Sequence, residues 1–253
     1  MTTTEHIAGS CVRAVVVVAL LAIAVVAHRP ASASNLSLVE IQAAAVQSLG
    51  RIRERRLPNG MTVVVQEDHH APIVSLELRF DVGERNVPAG RAGLAVLTSY
   101  VMVRSSKHVP PGEYYASLAR AGATWSDYTG ADSTRFSATL PSSRLALPMW
   151  LWSDMMGFFA DAIDKTQLEA QRTALINAAM NDENAQLGNV EAMIDGEIFP
   201  EGHPYRARGR ASAAVVRTIT AEEIRAYHER WIVPEHAALV VVGDEAAADA
   251  FAL

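Results

Sequence analysis

The sequence predicts an α+β fold: a mostly antiparallel sheet with helices packed on it. Three observations carry this. Runs of strands are followed by runs of helices, where a doubly wound parallel sheet alternates them one by one. Apolar and polar residues alternate from Val74 to Val82, the period of a half-buried strand. The later helical stretches carry helix start signals, such as the capping box from Thr220 to Glu223.

The elements follow in order. "NLSLVEIQAAAVQSLG", residues 35–50, reads as a helix stopped by Gly50. Pro58-Asn59-Gly60 is turn chemistry. "MTVVVQED" is a strand, "HHAP" a loop and "IVSLELRFDVGER" a second strand, so these two strands are expected to pair. A helix starts near Ala92, and "PPGEYYASLARAG" is a short helix ending at Gly122. "TWSDYTGADSTRFSATLP" reads as two strands around a glycine-containing turn. "SSRLALPMWLWSDMMGFF" reads as an amphipathic helix with Ser142 or Ser143 as N-cap. A long helix over "DKTQLEAQRTALINAAMNDEN", a shorter one over "VEAMIDGEIF", a loop and the capping-box helix lead to the last strand, "AALVVVGDE".

Composition narrows the class. Half of the 253 residues are hydrophobic and 20% are charged, which is globular and not disordered. The net charge is −6 and no basic cluster stands out, so nucleic acid is not an expected partner. The single cysteine, Cys11, supports neither a disulfide framework nor a cysteine zinc site. Arg13 precedes a 14-residue apolar run, residues 14–27, shorter than the ~20 residues that span a bilayer. Ala31-Ser32-Ala33 supplies the small-x-small pattern of a cleavage site. Residues 1–33 therefore read as a bacterial-type signal peptide; the alternative is an uncleaved anchor. Cleavage sends the mature chain to the periplasm or out of the cell, with no membrane attachment. Residues 34–52 read as a linker or N-terminal helix, and 53–253 as one domain.

Several segments resemble the pitrilysin/insulinase metallopeptidases, which include the mitochondrial processing peptidase. "LPNGMTVVVQED" resembles the family's opening strand and "DVGERNVPAGRAGLA" the run into its metal-binding helix. "AGATWSDYTGADSTRF" resembles a hairpin that usually reads Gly-Gly-x-x-Asn-Ala-x-Thr. "LEAQRTALINAAM" is similar to the helix of the third ligand, and "GHPY" and "RWIVPEHAALVVVGD" to the end of the first domain. The resemblance covers roughly residues 53–246.

That family binds zinc through His-x-x-Glu-His on a helix plus a later glutamate, with the motif's own glutamate as general base. Carried over by the resemblance, the first histidine position is Val96, the base position Ser99, the second histidine position Tyr100 and the third-ligand position Ala178, with Asn177 as its neighbour. None of these does the family's chemistry. A valine binds no metal, and a serine does not transfer protons as a carboxylate does at neutral pH. The bland reading is a core helix, with Val96, Ser99, Tyr100 and Val103 on one face and Leu94, Leu97 and Val101 opposite. The alternatives are a metal site in another register, or a zinc peptidase with a shifted ligand set.

The resemblance implies no zinc cofactor here, although active relatives use one. It implies peptide binding along the strand that carries Ser126, Asp127 and Tyr128, because strand addition works through backbone groups. It also implies a zinc-bearing peptidase subunit of the same family as partner, with this chain as the first domain of a non-catalytic subunit. The second domain is then absent after Leu253, as in a fragment or a truncated product. A stand-alone peptide-binding module is the other reading. His69 and His70 read as solvated turn residues, His203 as a structural loop residue, and His228 and His236 lack a carboxylate partner in the sequence. The basic stretch 206–210 reads as a solvated loop or a contact for an acidic partner.

Overall fold

The computed structural model describes residues 52–184, 190–207 and 212–253. The signal segment and nearly all of the 34–52 segment lie outside them. The exception is Ile52, which opens a strand not expected from sequence. Strands β1 (Ile52–Arg56), β2 (Thr62–Glu67), β3 (Ile73–Phe80), β4 (Thr124–Thr129), β5 (Thr134–Pro141) and β6 (Ala237–Gly243) form one sheet in the order β1-β2-β6-β3-β5-β4. Among the described residues, β2–β6 is its one parallel pairing, and the other four are antiparallel. The α+β class and its mostly antiparallel sheet stand.

The expected pairing of β2 with β3 does not form. β6 lies between them, parallel to β2 with Val64 opposite Val240, and antiparallel to β3 with Leu78 opposite Leu239. All three strands are apolar enough for a central position, and local patterning does not say which neighbours which.

Alternation assigns the sheet faces. Val74, Leu76, Leu78 and Phe80 of β3 are buried with Phe136, Ala138 and Leu140 of β5, while the intervening residues stay half-buried or exposed. Helices therefore cover one face. They are α1 (Leu94–Met102), α2 (Glu113–Arg120), α3 (Ala146–Phe158), α4 (Lys165–Asn184), α5 (Val190–Ile198), α6 (Ala213–Val216), α7 (Ala221–Trp231) and α8 (Ala247–Ala250). Leu97 and Val101 of α1, Leu118 of α2, Leu151 of α3 and Ile224 of α7 join the strand residues in one core. α1 packs against α4 and α7.

The expected cap of α7 is formed: the Glu223 N–H donates to Thr220 Oγ1 at 3.2 Å, and the Thr220 N–H donates to Glu223 Oε2 at 2.8 Å. The expected serine cap of α3 is not. Ser142–Arg144 form a 3-10 turn, α3 follows from Leu145 with no side-chain cap, and Ser142 Oγ instead lies 3.3 Å from Asp244 Oδ2. α3 buries one face through Pro148, Leu151, Trp152 and Met155, as an amphipathic helix does, but its outer face is not wholly polar, since Trp150 and Phe158 are exposed.

Candidate functional site

The site is built around the start of α1. Gly93 precedes the helix with φ +95°, a left-handed conformation that disfavours a side chain. The N–H groups it turns outward meet Glu84, which comes from a 3-10 turn after β3. Glu84 Oε2 accepts from the Gly93 N–H at 2.9 Å and Oε1 from the Val96 N–H at 3.1 Å. This buried carboxylate fills the role of a helix cap from nine residues upstream. Burial pushes its pKa up, opposed by the N–H groups of Gly93, Val96 and Ala95. Gly83 lets that turn come close to the β4–β5 turn, since a Cβ there would sit 2.3 Å from Gly130 O. The Glu84 N–H donates to that same oxygen at 2.9 Å. Sequence reading missed Glu84, because capping patterns are local and this one is not.

The family positions fall as follows. Val96 and Tyr100 are half-buried and pack against the core, while Ser99 is buried. Ser99 Oγ donates to Val96 O at 2.8 Å and accepts from Thr129 Oγ1 at 2.9 Å, which ties α1 to the end of β4. Ala178 is half-buried and Asn177 exposed on α4, the helix packed against α1. The residue types present do not fit a zinc ion: a valine, a hydroxyl already engaged, a tyrosine and an alanine. Among the described residues no group of three or more His, Cys, Asp or Glu side chains is placed to hold a metal.

The histidines are engaged elsewhere. His69 pairs with Asp244 at 2.7 Å and His70 with Asp68, both on the exposed β2–β3 loop. His203 stacks on Phe199 with centroids 4.7 Å apart. His228 is buried against Phe159, and His236 Nδ1 lies 3.1 Å from Trp231 O. Of the basic stretch, Arg206 donates to the carbonyls of Gly196 and Phe199; residues 208–210 lie outside the described residues.

Ser99 and Tyr100 line a cavity of about 400 Å³ together with Val103, Arg104, Tyr115 and residues 125–129 of β4. Val96 and Ala178 are not in its wall. So α1, α2 and the edge strand bring Ser99 and Tyr100 beside Ser126, Asp127 and Tyr128. Tyr115 stacks on Trp125 with centroids 5.5 Å apart, and its hydroxyl donates to Asp127 Oδ2. Burial raises the Asp127 pKa, opposed by that hydrogen bond and by the charge of Arg104. Burial first, and Asp127 second, push the Tyr115 hydroxyl well above its ordinary range. On the other face of the strand, Arg135 lies over the Tyr128 ring at 4.6 Å. The arrangement offers an aromatic wall, one cation, one carboxylate and an open strand edge. A separate apolar cavity of about 420 Å³, lined by residues such as Leu57, Met149 and Phe251, contains none of the family positions.

Comparison with known proteins agrees with this fold. The family model described as "Insulinase (Peptidase family M16)" matches residues 62–196. The zinc protease PqqE of Helicobacter pylori is 24% identical over 189 residues, covering 74% of this chain and 42% of that protein. Among solved structures, a protease from Helicobacter pylori superposes with a TM-score of 0.75 at 21% identity, over 81% of this chain and 49% of that one. The periplasmic protease PqqL of Escherichia coli gives 0.73 at 20%, over 79% and 23%. A peptidase M16 inactive domain from Pseudomonas fluorescens gives 0.72 at 16%, over 80% and 48%. The chain thus spans about two fifths of the length of its curated relative and no more than about half of these solved ones. At these identities the superpositions show a shared fold, and with more than half of its residues matched by the family model, the chain belongs to the insulinase family of peptidases, M16.

Proposed function

We propose that this protein is a catalytically inactive member of its family that binds extended peptides along β4. In this reading it is the non-catalytic subunit of a heteromeric peptidase in the bacterial periplasm, and its partner is a zinc-bearing chain of the same family. The fold alone does not separate active from inactive, since a zinc protease and an inactive domain are both among its relatives. The donor set supports the inactive reading: Val96, Ser99, Tyr100 and Ala178, at the positions the resemblance assigns, offer neither the ligands nor the base that zinc-dependent hydrolysis requires. The PqqL neighbour, described as periplasmic, supports the location.

The observation that carries peptide binding is the contrast between the two sheet edges. β1 holds Arg53, Glu54, Arg55 and Arg56, four charges in five exposed residues, a device that discourages further strand pairing. β4 is exposed along Thr124–Tyr128 and carries one charge, Asp127, which Tyr115 already engages. The Gly130 N–H donates to Ser133 O at 2.9 Å and closes the β4–β5 turn. Ladder alternation from that bond turns the N–H and C=O groups of Trp125, Asp127 and Thr129 away from β5. An incoming strand meets free backbone groups there.

Fluorescence anisotropy with extended peptides N-methylated at single positions tests this. Strand addition predicts that methylation at alternate positions abolishes binding and that methylation between them does not. Equal tolerance at every position contradicts it.

A further inference from the structure

Arg104 stands one turn beyond Tyr100, in the wall of the β4 cavity. Its guanidinium lies over the Tyr115 ring, 5.4 Å from the centroid. Its Nε is buried and has no hydrogen-bond partner. Asp127 does not supply one. Its carboxylate accepts from the Tyr115 hydroxyl, and the charge of Arg104 acts on it without a hydrogen bond to Nε. Arg104 as a whole is only half-buried and lines the cavity, and a guanidinium is the side chain best shaped to receive a carboxylate with two parallel bonds. The cation–π contact with Tyr115 holds the guanidinium at the cavity wall before a ligand arrives. The cavity is large enough for an amino-acid side chain and opens along the strand edge where a peptide would lie.

We propose that Arg104 makes this cavity a carboxylate-reading subsite, which takes an acidic side chain or the terminal carboxylate of a peptide paired with β4. The proposal rests on the strand-addition reading above and adds a ligand chemistry to it. The Tyr115 and Trp125 rings form an apolar wall for the methylene groups of the bound residue, and Arg104 receives its charge. A lysine at the same place meets Arg104 as a like charge and is rejected.

The test is a scan. A neutral, C-terminally amidated peptide carries Glu, Gln or Lys at each position in turn, and a further neutral peptide keeps its free C-terminal carboxylate. Kd is measured by anisotropy with the purified protein. At one position Glu is expected to bind about tenfold more tightly than Gln, the scale of a charge-assisted hydrogen bond, with Lys weaker than both. Arg104→Gln is expected to bring the Glu and Gln peptides to one Kd. A gain confined to the free-terminus peptide assigns the site to chain ends and supports the same chemistry. If peptides bind but Glu, Gln and free-terminus forms are equal, the subsite is overturned and strand addition stands. If no peptide binds, titration with N-acetylglutamate is followed on the Arg104 Nε–H resonance. A saturable shift then supports the subsite and removes strand addition, and no shift overturns both. Should Arg104→Gln fail to fold, Arg104→Lys keeps the charge without the fork. It is expected to retain less than a third of the Glu preference, and full retention contradicts the assignment.

Discussion

Glu84 and His228 are buried titratable groups in different circumstances. The Glu84 carboxylate holds the first N–H groups of α1, so Glu84→Ala leaves buried donors unpaired. A loss of about 1–2 kcal/mol in urea denaturation is expected. Glu54→Ala on the exposed edge strand should stay within about 0.5 kcal/mol. His228 has no partner for Nε2. Burial lowers its pKa from 6.5 to about 4, opposed by hydrogen bonding to the Met155 backbone. Between those values the unfolded chain takes up a proton that the folded chain refuses. Stability therefore falls as pH drops from 6.5 towards 4, by about 3 kcal/mol at the lower end. Asp154, held below its ordinary range chiefly by Ser106 and His108 against the effect of its burial, loses its contribution only as pH falls below 3.8. Glu84, with its pKa raised, acts in the opposite sense to His228 as pH drops. The difference between wild type and His228→Leu isolates the histidine. Denaturation at pH 7, 5.5 and 4.5 should show a flatter pH dependence in the variant, and parallel curves would reject the assignment.

At the scale of elements, α1 is a core helix at the segment that the family resemblance assigns to the metal helix. Leu94, Leu97 and Val101 are buried on one side, and Ser99 and Val103 on the other. Restoring the family motif is therefore not additive. Val96→His alone should bind little metal. The combination Val96→His, Ser99→Glu, Tyr100→His and Ala178→Glu should bind one zinc by mass spectrometry. Without metal it should lose about 1–3 kcal/mol for each polar group placed in packed surroundings. A folded quadruple variant that binds no zinc shifts the third-ligand position to Asn177. The helix, the β4–β5 hairpin and the α7 capping box were legible because their signals are local in sequence. β1 was not: "IRERR" exposes every side chain and shows no period. The insertion of β6 between β2 and β3 was not either, since it joins residues far apart in the chain with no pattern at either end. Nor was the cavity, because Arg104, Tyr115 and Trp125 converge from three elements.

At the scale of the molecule, the sheet has one edge guarded by charge and one left open, with a helical layer on a single face. Exposed apolar residues include Trp150 and Phe158 on α3 and Met193 and Ile198 on α5. On the proposed heteromeric reading, these residues are candidates for contact with the partner chain. Co-expression with a His-x-x-Glu-His-bearing family member from the same genome is expected to give a soluble complex, with an interface above ~1,000 Å². Size-exclusion chromatography with light scattering measures it; a monomer indifferent to every such chain would favour a free-standing peptide-binding module. The family was legible from the order of its segments, while the state of the site was read residue by residue from what stands at Val96, Ser99, Tyr100 and Ala178. The most direct test of the central claim joins binding to the absence of chemistry. The purified protein is dialysed against trace zinc and incubated with an extended peptide that it binds by anisotropy, and both metal and peptide are then measured by mass spectrometry. The expected result is bound, intact peptide with no stoichiometric zinc; cleaved peptide with about one zinc per chain, both lost on chelation, would contradict it.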